Sequence, residues 1–336
     1  MKTLHLSKNE TKKAAEILKS GGIVAIPTET VYGLASDAFN VHAIKKIFEA
    51  KGRPSDNPLI VHIANLNDIH KVASEFNEKA QKLADKFWPG PLTMILPKNK
   101  NVPSIVTAGM NSVAIRFPSN EIAREIINIS ESPLVAPSAN ISGSPSPTKF
   151  KHVVDDLETK VDALVDGGEC KYGLESTVIS LLGTIPKLLR PGAITPEEIE
   201  KVIGKIEIDS SVYSKIKEGQ KALCPGMKYK HYSPKAKVIL LEGSSEKYTE
   251  FISTKEKENL VALCFDEDIS SLFCKYISYG SQNDFKSQAK KLFSSLREAD
   301  KLNPSIIYAH CPHAEGIGIA VYNRLIRSAG FDIIKL

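Results

Sequence analysis

Short apolar runs alternate with amphipathic stretches along most of this chain, and the alternation stops once, between residues 210 and 237, where Pro225, Gly226 and Pro234 stand among lysines. Strands kept apart by helices need crossover connections, so each side of the break predicts an α/β sheet. Before it, strands are predicted at 23–27, 59–64, 92–96, 113–117, 133–136, 163–166, 177–181 and 187–189, with helices at 41–50, 78–87, 122–129 and 149–157. After it come strands at 238–241, 260–265, 276–278 and 305–309 and helices at 247–254, 285–302 and 319–329. The 336 residues also exceed the roughly 250–300 at which a single core stops growing. The expectation is an α/β domain at 1–208 with a parallel or mixed sheet, a connector at 209–237, and a smaller, doubly wound α/β domain at 238–336.

Lys and Arg number 44 against 39 Asp and Glu, a net charge of +5 that favours anionic partners and falls short of the basic stripe of duplex binders. The opening MKTLHLSKNETKK holds no apolar stretch of signal length, and no run nears the roughly 18 residues of a bilayer span. A cytoplasmic chain with no membrane partner is expected. Cys170, Cys224, Cys264, Cys274 and Cys311 are odd in number and far apart, with no C-x-x-C, so reduced thiols without zinc or a disulfide framework are expected.

Polar segments gather in the first part. PTETVYGL, at 27–34, follows a buried strand, so Thr28, Thr30 and Tyr32 are expected to face a crevice while the chain turns at Gly33. The plainer reading is a turn whose threonines satisfy backbone groups. In KGRPSDNPLIVHIA, Lys51 and Arg53 follow a helix, where its dipole alone favours cations. Their proline-braced loop with Asn57, and His62 in the strand beyond, fit a phosphate clamp, although a lone histidine is more often a packed core residue. Arg116 interrupts the apolar strand of NSVAIRFP, after Ser112, and needs an anionic ligand or an internal carboxylate. The small-residue loop APSANISGSPSPT, with Ser138, Asn140, Ser142, Ser144 and Ser146, suits a phosphate cradle or a plain connector, and Arg190 stands in LLRPGAIT. No G-x-x-x-x-G-K-[ST], G-x-S-x-G or HExxH occurs, and Gly316-Ile317-Gly318 lacks the third glycine of a dinucleotide fingerprint.

Taken in order, PTETVYGL, K-x-R-P-x-x-N-P-L-I-V-H-I, WPGPLT, VAIRFP, APSAN, ESTVI, LLRPG and PGMKYKHYSP resemble the Sua5 branch of the YrdC/Sua5 family, the L-threonylcarbamoyladenylate synthases, over nearly the whole chain. The resemblance implies a twisted YrdC-like sheet with a basic cavity, a Rossmann-like second domain, and a connector crossing the active site. It also implies an enzyme, a nucleotidyltransferase that joins ATP, L-threonine and bicarbonate or CO2 into threonylcarbamoyl-AMP and releases pyrophosphate. The product feeds threonylcarbamoylation (t6A) of adenosine 37 in ANN-decoding tRNAs by a separate transferase complex. By resemblance, Thr30, His62, Arg116, Ala136 and Ser176 hold threonine, with Arg116 on its carboxylate. Arg53, Asn57, Ser112, Ser138, Ser146 and Arg190 hold ATP, with Lys51 and Asn140 near the phosphates and Lys51 and Arg53 as the catalytic cations. Lys228, Tyr229, His231 and Tyr232 cover the triphosphate. Mg2+ is expected to arrive with the triphosphate, since no metal motif is present. Two rivals stand beside this reading: a non-catalytic module for double-stranded RNA or tRNA, and the carbamoyltransferase of hydrogenase maturation, whose zinc-type cysteine pairs are missing here. Weak tRNA binding is compatible with the enzyme as well.

Overall fold

The computed structural model describes residues 2–215, 224–225, 231–255 and 259–336. Among them, strands β1 (Leu4–Ser7), β2 (Val24–Ile26), β3 (Gly33–Asp37), β4 (Ile60–His62), β5 (Leu92–Pro97), β6 (Ser112–Arg116), β7 (Leu134–Val135), β8 (Ala163–Asp166), β9 (Thr177–Ser180), β10 (Lys187–Arg190) and β11 (Glu207–Ile208) form one sheet. Its order is β1-β8-β2-β3-β7-β4-β6-β5-β9-β10-β11, with parallel and antiparallel pairs mixed. Successive strand residues point to opposite faces, and both faces are apolar: Ile23, Ala25 and Leu34 join a core on one side, Val24, Ile26 and Ala35 a core on the other. Helices α1 (Thr11–Lys19), α2 (Val41–Lys51), α3 (Ile69–Val72), α4 (Glu78–Phe87), α5 (Glu121–Ser130), α6 (Phe150–Leu157) and α7 (Pro196–Ile203) connect the strands.

The second unit is parallel throughout. Strands β12 (Lys237–Glu242), β13 (Leu260–Cys264), β14 (Tyr276–Ser278), β15 (Ile306–His310) and β16 (Ile333–Lys335) run in the order β14-β13-β15-β12-β16. Helices α8 (Ser245–Ser253), α9 (Phe285–Lys301) and α10 (Gly318–Ser328) cover this sheet.

Helices α9 and α10 also dock on the first unit. Arg297 forms a two-nitrogen pair with Asp156 at 3.1 and 2.6 Å, and Ser294 meets the Thr148 hydroxyl. Asn323 and Arg327 donate to the carbonyls of Val212 and Ser211, so the first residues beyond β11, within the expected connector at 209–237, are pinned to α10.

Strands β1, β3, β11 and β16, which are short or carry few large apolar residues, and the helices α1, α3 and α7 add to the elements that the sequence pattern predicts. The sequence pattern also predicts a turn at Gly33. Gly33 instead opens β3, opposite Ile26 and bridged to Ser138. A Cβ there would stand 3.1 Å from that of Ala136, so this glycine permits close strand approach rather than a bend.

Candidate active site

A cavity opens where the carboxyl ends of parallel β4 and β6 lie side by side, with His62 in register with Arg116. Helix α2 brings in the next wall. Gly52, left-handed at φ 60°, ends the helix, and the Arg53 N–H folds back onto the Phe48 carbonyl, which turns Arg53 toward the cavity. Its Nη2 donates to the Pro58 carbonyl at 3.0 Å. The β9–β10 register slips between Leu188 and Arg190, a bulge that aims Arg190 inward. Arg190 Nε then donates to the Ser176 carbonyl at 3.0 Å and Nη2 to its hydroxyl at 3.1 Å. Ser176 shares that hydroxyl with Thr93 at 2.7 Å.

Eleven of the expected site residues line this single cavity: Arg53, His62, Arg116, Ala136, Ser138, Asn140, Ser146, Ser176, Arg190, His231 and Tyr232. Four do not. The Lys51 ammonium is buried and donates to the carbonyls of Ser138 and Asn140, both at 2.5 Å, so it straps the APSAN loop from behind. Burial, then the nearby Arg53, pushes its pKa well below the usual lysine value. Asn57 is buried beside Arg53, with no hydrogen-bond partner for its Oδ1 among the described residues. Thr30 donates to Thr28, whose own proton goes to the Val31 carbonyl at 2.6 Å, so the plainer turn reading holds for Thr28. Ser112 opens β6, about 13 Å along the strand from Arg116 at some 3.3 Å per residue. Tyr32, expected at a crevice, turns into the core, where its hydroxyl donates to the Gly168 carbonyl at 2.8 Å, and Val31 takes the cavity position. Pro225 also lines the cavity, while the expected Lys228 and Tyr229 lie outside the described residues.

Two carboxylates that the sequence motifs do not single out complete the site's charge balance. Glu29 pairs with Arg116 Nη2 at 2.7 Å, both side chains about nine-tenths buried or more. Glu175 lines the cavity, accepts the Ser146 hydroxyl at 2.5 Å, and pairs with Arg324 at 3.0 Å. Each stands within one residue of a threonine-site candidate, in PTETV and ESTVI. The signal was the buried arginines themselves, since each requires a counter-ion.

Burial, reinforced by Arg116, lowers the His62 pKa to about 3. The ring is therefore neutral, and because Ile60 O at 3.1 Å can only accept, Nδ1 carries the proton and Nε2 keeps a lone pair. His231 is likewise held to about 3, by burial first and then by Arg53, Arg327, Lys51 and Arg190. For Glu175, burial acts to raise the pKa, but Arg324, Arg190 and the Ser146 hydroxyl together bring it below the usual carboxylate value. With His231 and Tyr232 seated against these walls, the cavity is about 60 Å³. At roughly 10–15 Å³ per water, that admits a few atoms and not a nucleotide.

The family model described as telomere recombination matches residues 16–192, and that described as the threonylcarbamoyl-AMP synthase C-terminal domain matches residues 194–330. Threonylcarbamoyl-AMP synthase of Pyrococcus abyssi is 46% identical over 329 residues, covering 96% of this chain and 95% of the relative. The enzyme of the same name from Bacillus subtilis is 43% identical over 339 residues, covering 99% and 97%. The crystal structure of P. abyssi Sua5 complexed with L-threonine superposes with a TM-score of 0.92 at 42% identity, covering 100% of both chains. Matched over both of its units by sequence and by fold, the chain belongs to the Sua5/YrdC family.

Proposed function

We propose that this protein is a threonylcarbamoyl-AMP synthase, making threonylcarbamoyl-AMP and pyrophosphate from ATP, L-threonine and bicarbonate or CO2 for t6A formation on tRNA. The observation that carries this reading is the convergence of three guanidinium groups, Arg53, Arg116 and Arg190, from distant segments onto one cavity beside a neutral His62.

The neutral threonine amine adds to CO2 and releases one proton to water, giving an N-carboxylate whose oxygen attacks the α-phosphorus as the bond to pyrophosphate breaks. Such transfers depend on positioning and on neutralising charge on the oxygens, so fixed arginines serve without a protein nucleophile. The threonine carboxylate takes the part of Arg116 that Glu29 leaves. His62 Nε2 accepts an amine N–H; with a pKa of about 3 it orients the amine and does not store its proton. Ser176, already holding Arg190, and Ala136 complete that end. ATP takes Arg53, Arg190, Ser138, Asn140 and Ser146, and the unpartnered Asn57 Oδ1 suits an amino group of the base. Ser112 remains assigned to ATP and Thr30 to threonine. Lys51 acts through the loop it straps.

Both nearby carboxylates are committed, Glu29 to Arg116 and Glu175 to Arg324. Mg2+ therefore enters as part of the ATP substrate, held by phosphates and water. A nucleotide enters when His231 and Tyr232 withdraw, and their return shields the mixed anhydride from water. The division into residues 1–208, 209–237 and 238–336 and a cytoplasmic setting belong to the same proposal. Among the described residues no helix is long and apolar enough to cross a membrane.

Mass spectrometry of the products formed from ATP, threonine and labelled bicarbonate tests this reading. Labelled threonylcarbamoyl-AMP is expected, and its absence from folded protein would refute the assignment.

A further inference from the structure

One fully buried side chain carries the second unit into the site of the first. Arg324, on α10, has no exposed surface. Its Nε donates to Glu175 Oε2 at 3.0 Å, its Nη1 to the Pro191 carbonyl at 2.8 Å, and its guanidinium lies 5.7 Å from the centre of the Tyr232 ring. The other Glu175 oxygen accepts the Ser146 hydroxyl.

The consequence lies in proton counting. A serine hydroxyl has one proton to donate, and Ser146 gives it to Glu175. Toward the cavity Ser146 presents lone pairs only. It can accept an N–H or O–H from a substrate, such as a ribose hydroxyl or an amine, and cannot donate to a phosphate oxygen. That polarity holds only while Glu175 is a carboxylate; once protonated, Glu175 becomes a donor and frees Ser146 to turn.

We propose that Arg324 is a positioning residue of the active site, through which the docked second unit keeps Glu175 ionised and so fixes Ser146 as an acceptor for a donor group of the substrate. This rests on the synthase reading above. The groups around Glu175 are Arg324 from α10, Arg190 from β10, Ser146 from the serine loop and Tyr232 from the segment before β12. Without Arg324, one fewer cation opposes burial, and Glu175 titrates at higher pH.

The test measures threonine- and bicarbonate-dependent pyrophosphate release from pH 4 to 8.5, with thermal melts alongside, for wild type, Arg324→Gln, Arg324→Lys, Ser146→Ala and the Ser146→Ala/Arg324→Gln double variant. Arg324→Gln is expected to move the acid limb of kcat/KM up by about one pH unit, lowering kcat/KM up to about tenfold below that limb and little at neutral pH. Arg324→Lys should recover most of both. Added to Ser146→Ala, Arg324→Gln should cost less than about twofold more, because both act through one hydroxyl. A purely structural role would lower the melting temperature and leave the acid limb in place, and that result overturns the proposal, as do losses that multiply. Should Arg324→Gln fail to fold, Glu175→Gln decides: the acid inflection assigned to Glu175 should vanish, leaving the substrate amine's own titration, and an unchanged inflection overturns the proposal. A folded wild type that makes no product refutes the synthase reading, and the Arg324 inference falls with it.

Discussion

The two sheets treat buried charge in opposite ways. At the carboxyl ends of β4 and β6, His62 and Arg116 border a cavity and keep hydrogen-bonding capacity toward it. The carboxyl ends of β13 and β15 are where an open parallel sheet usually binds its ligand. Here they hold a buried His310, with Nδ1 2.8 Å from Asp268 Oδ2 and Nε2 3.1 Å from the Gly243 carbonyl. Tyr248 stacks on that ring at 4.4 Å and Phe265 packs at 4.6 Å. A buried ionisable cluster is thus no mark of a site by itself. The first cluster differs in facing a cavity, whereas the second is sealed by aromatic rings and serves the packing of its own unit.

Four changes can break or sharpen that contrast. Asp268→Ala leaves His310 buried without its carboxylate and should destabilise the second unit by about 3–5 kcal/mol in urea unfolding, while activity per folded molecule stays within a few-fold. A loss of activity without a loss of stability would show the second cluster to be a site after all. Arg53→Ala should reverse the pattern, with product yield about 100-fold lower, or roughly 2.7 kcal/mol, the worth of one or two charge-assisted hydrogen bonds. Yields within tenfold of wild type would remove Arg53 from the clamp.

A smaller effect follows from acid. His62, His152 and His231 are held at about 3 in the folded chain against 6.5 in the unfolded one, each chiefly by burial. Between those values the unfolded state binds the extra protons, so stability is complete above about pH 6.5 and falls as pH drops toward 3. His152→Gln should therefore reduce the proton uptake of unfolding by about one in that window, measured as the slope of stability against pH; an unchanged slope would mean that His152 is charged in the folded protein. The smallest change is Gly33→Ala, whose Cβ would meet that of Ala136 at 3.1 Å. We expect a loss of about 1 kcal/mol and a two- to threefold rise in the threonine KM, read from steady-state kinetics, and no change in KM would separate this strand contact from the site.

Much of the fold was legible because its signals are local. Glu78–Phe87 and Tyr276–Ser278 form the helix and strand expected at those positions, since apolar spacing and caps such as Asn77 act within a few residues. The same holds for Arg53 and Arg116, which stand out against the residues immediately around them. Glu29, Glu175 and Arg324 were not legible. Arg324 sits in the apolar run IAVYNRLIRS, which signals a buried guanidinium but not its partner 149 residues away. Lys51 shows the converse: it reads as a clamp from its neighbour Arg53, yet its ammonium is taken up by two carbonyls behind the loop.

By itself the sequence determined the two α/β units, their apolar cores and the identity of the polar groups available to a site. These follow from periodicity and from the high energy of burying a charge, both properties of short stretches of chain. Only the tertiary structure decided which charges neutralise one another and which are left facing a cavity. That choice depends on distances and desolvation among segments 29 to 149 residues apart, and no local pattern carries such information.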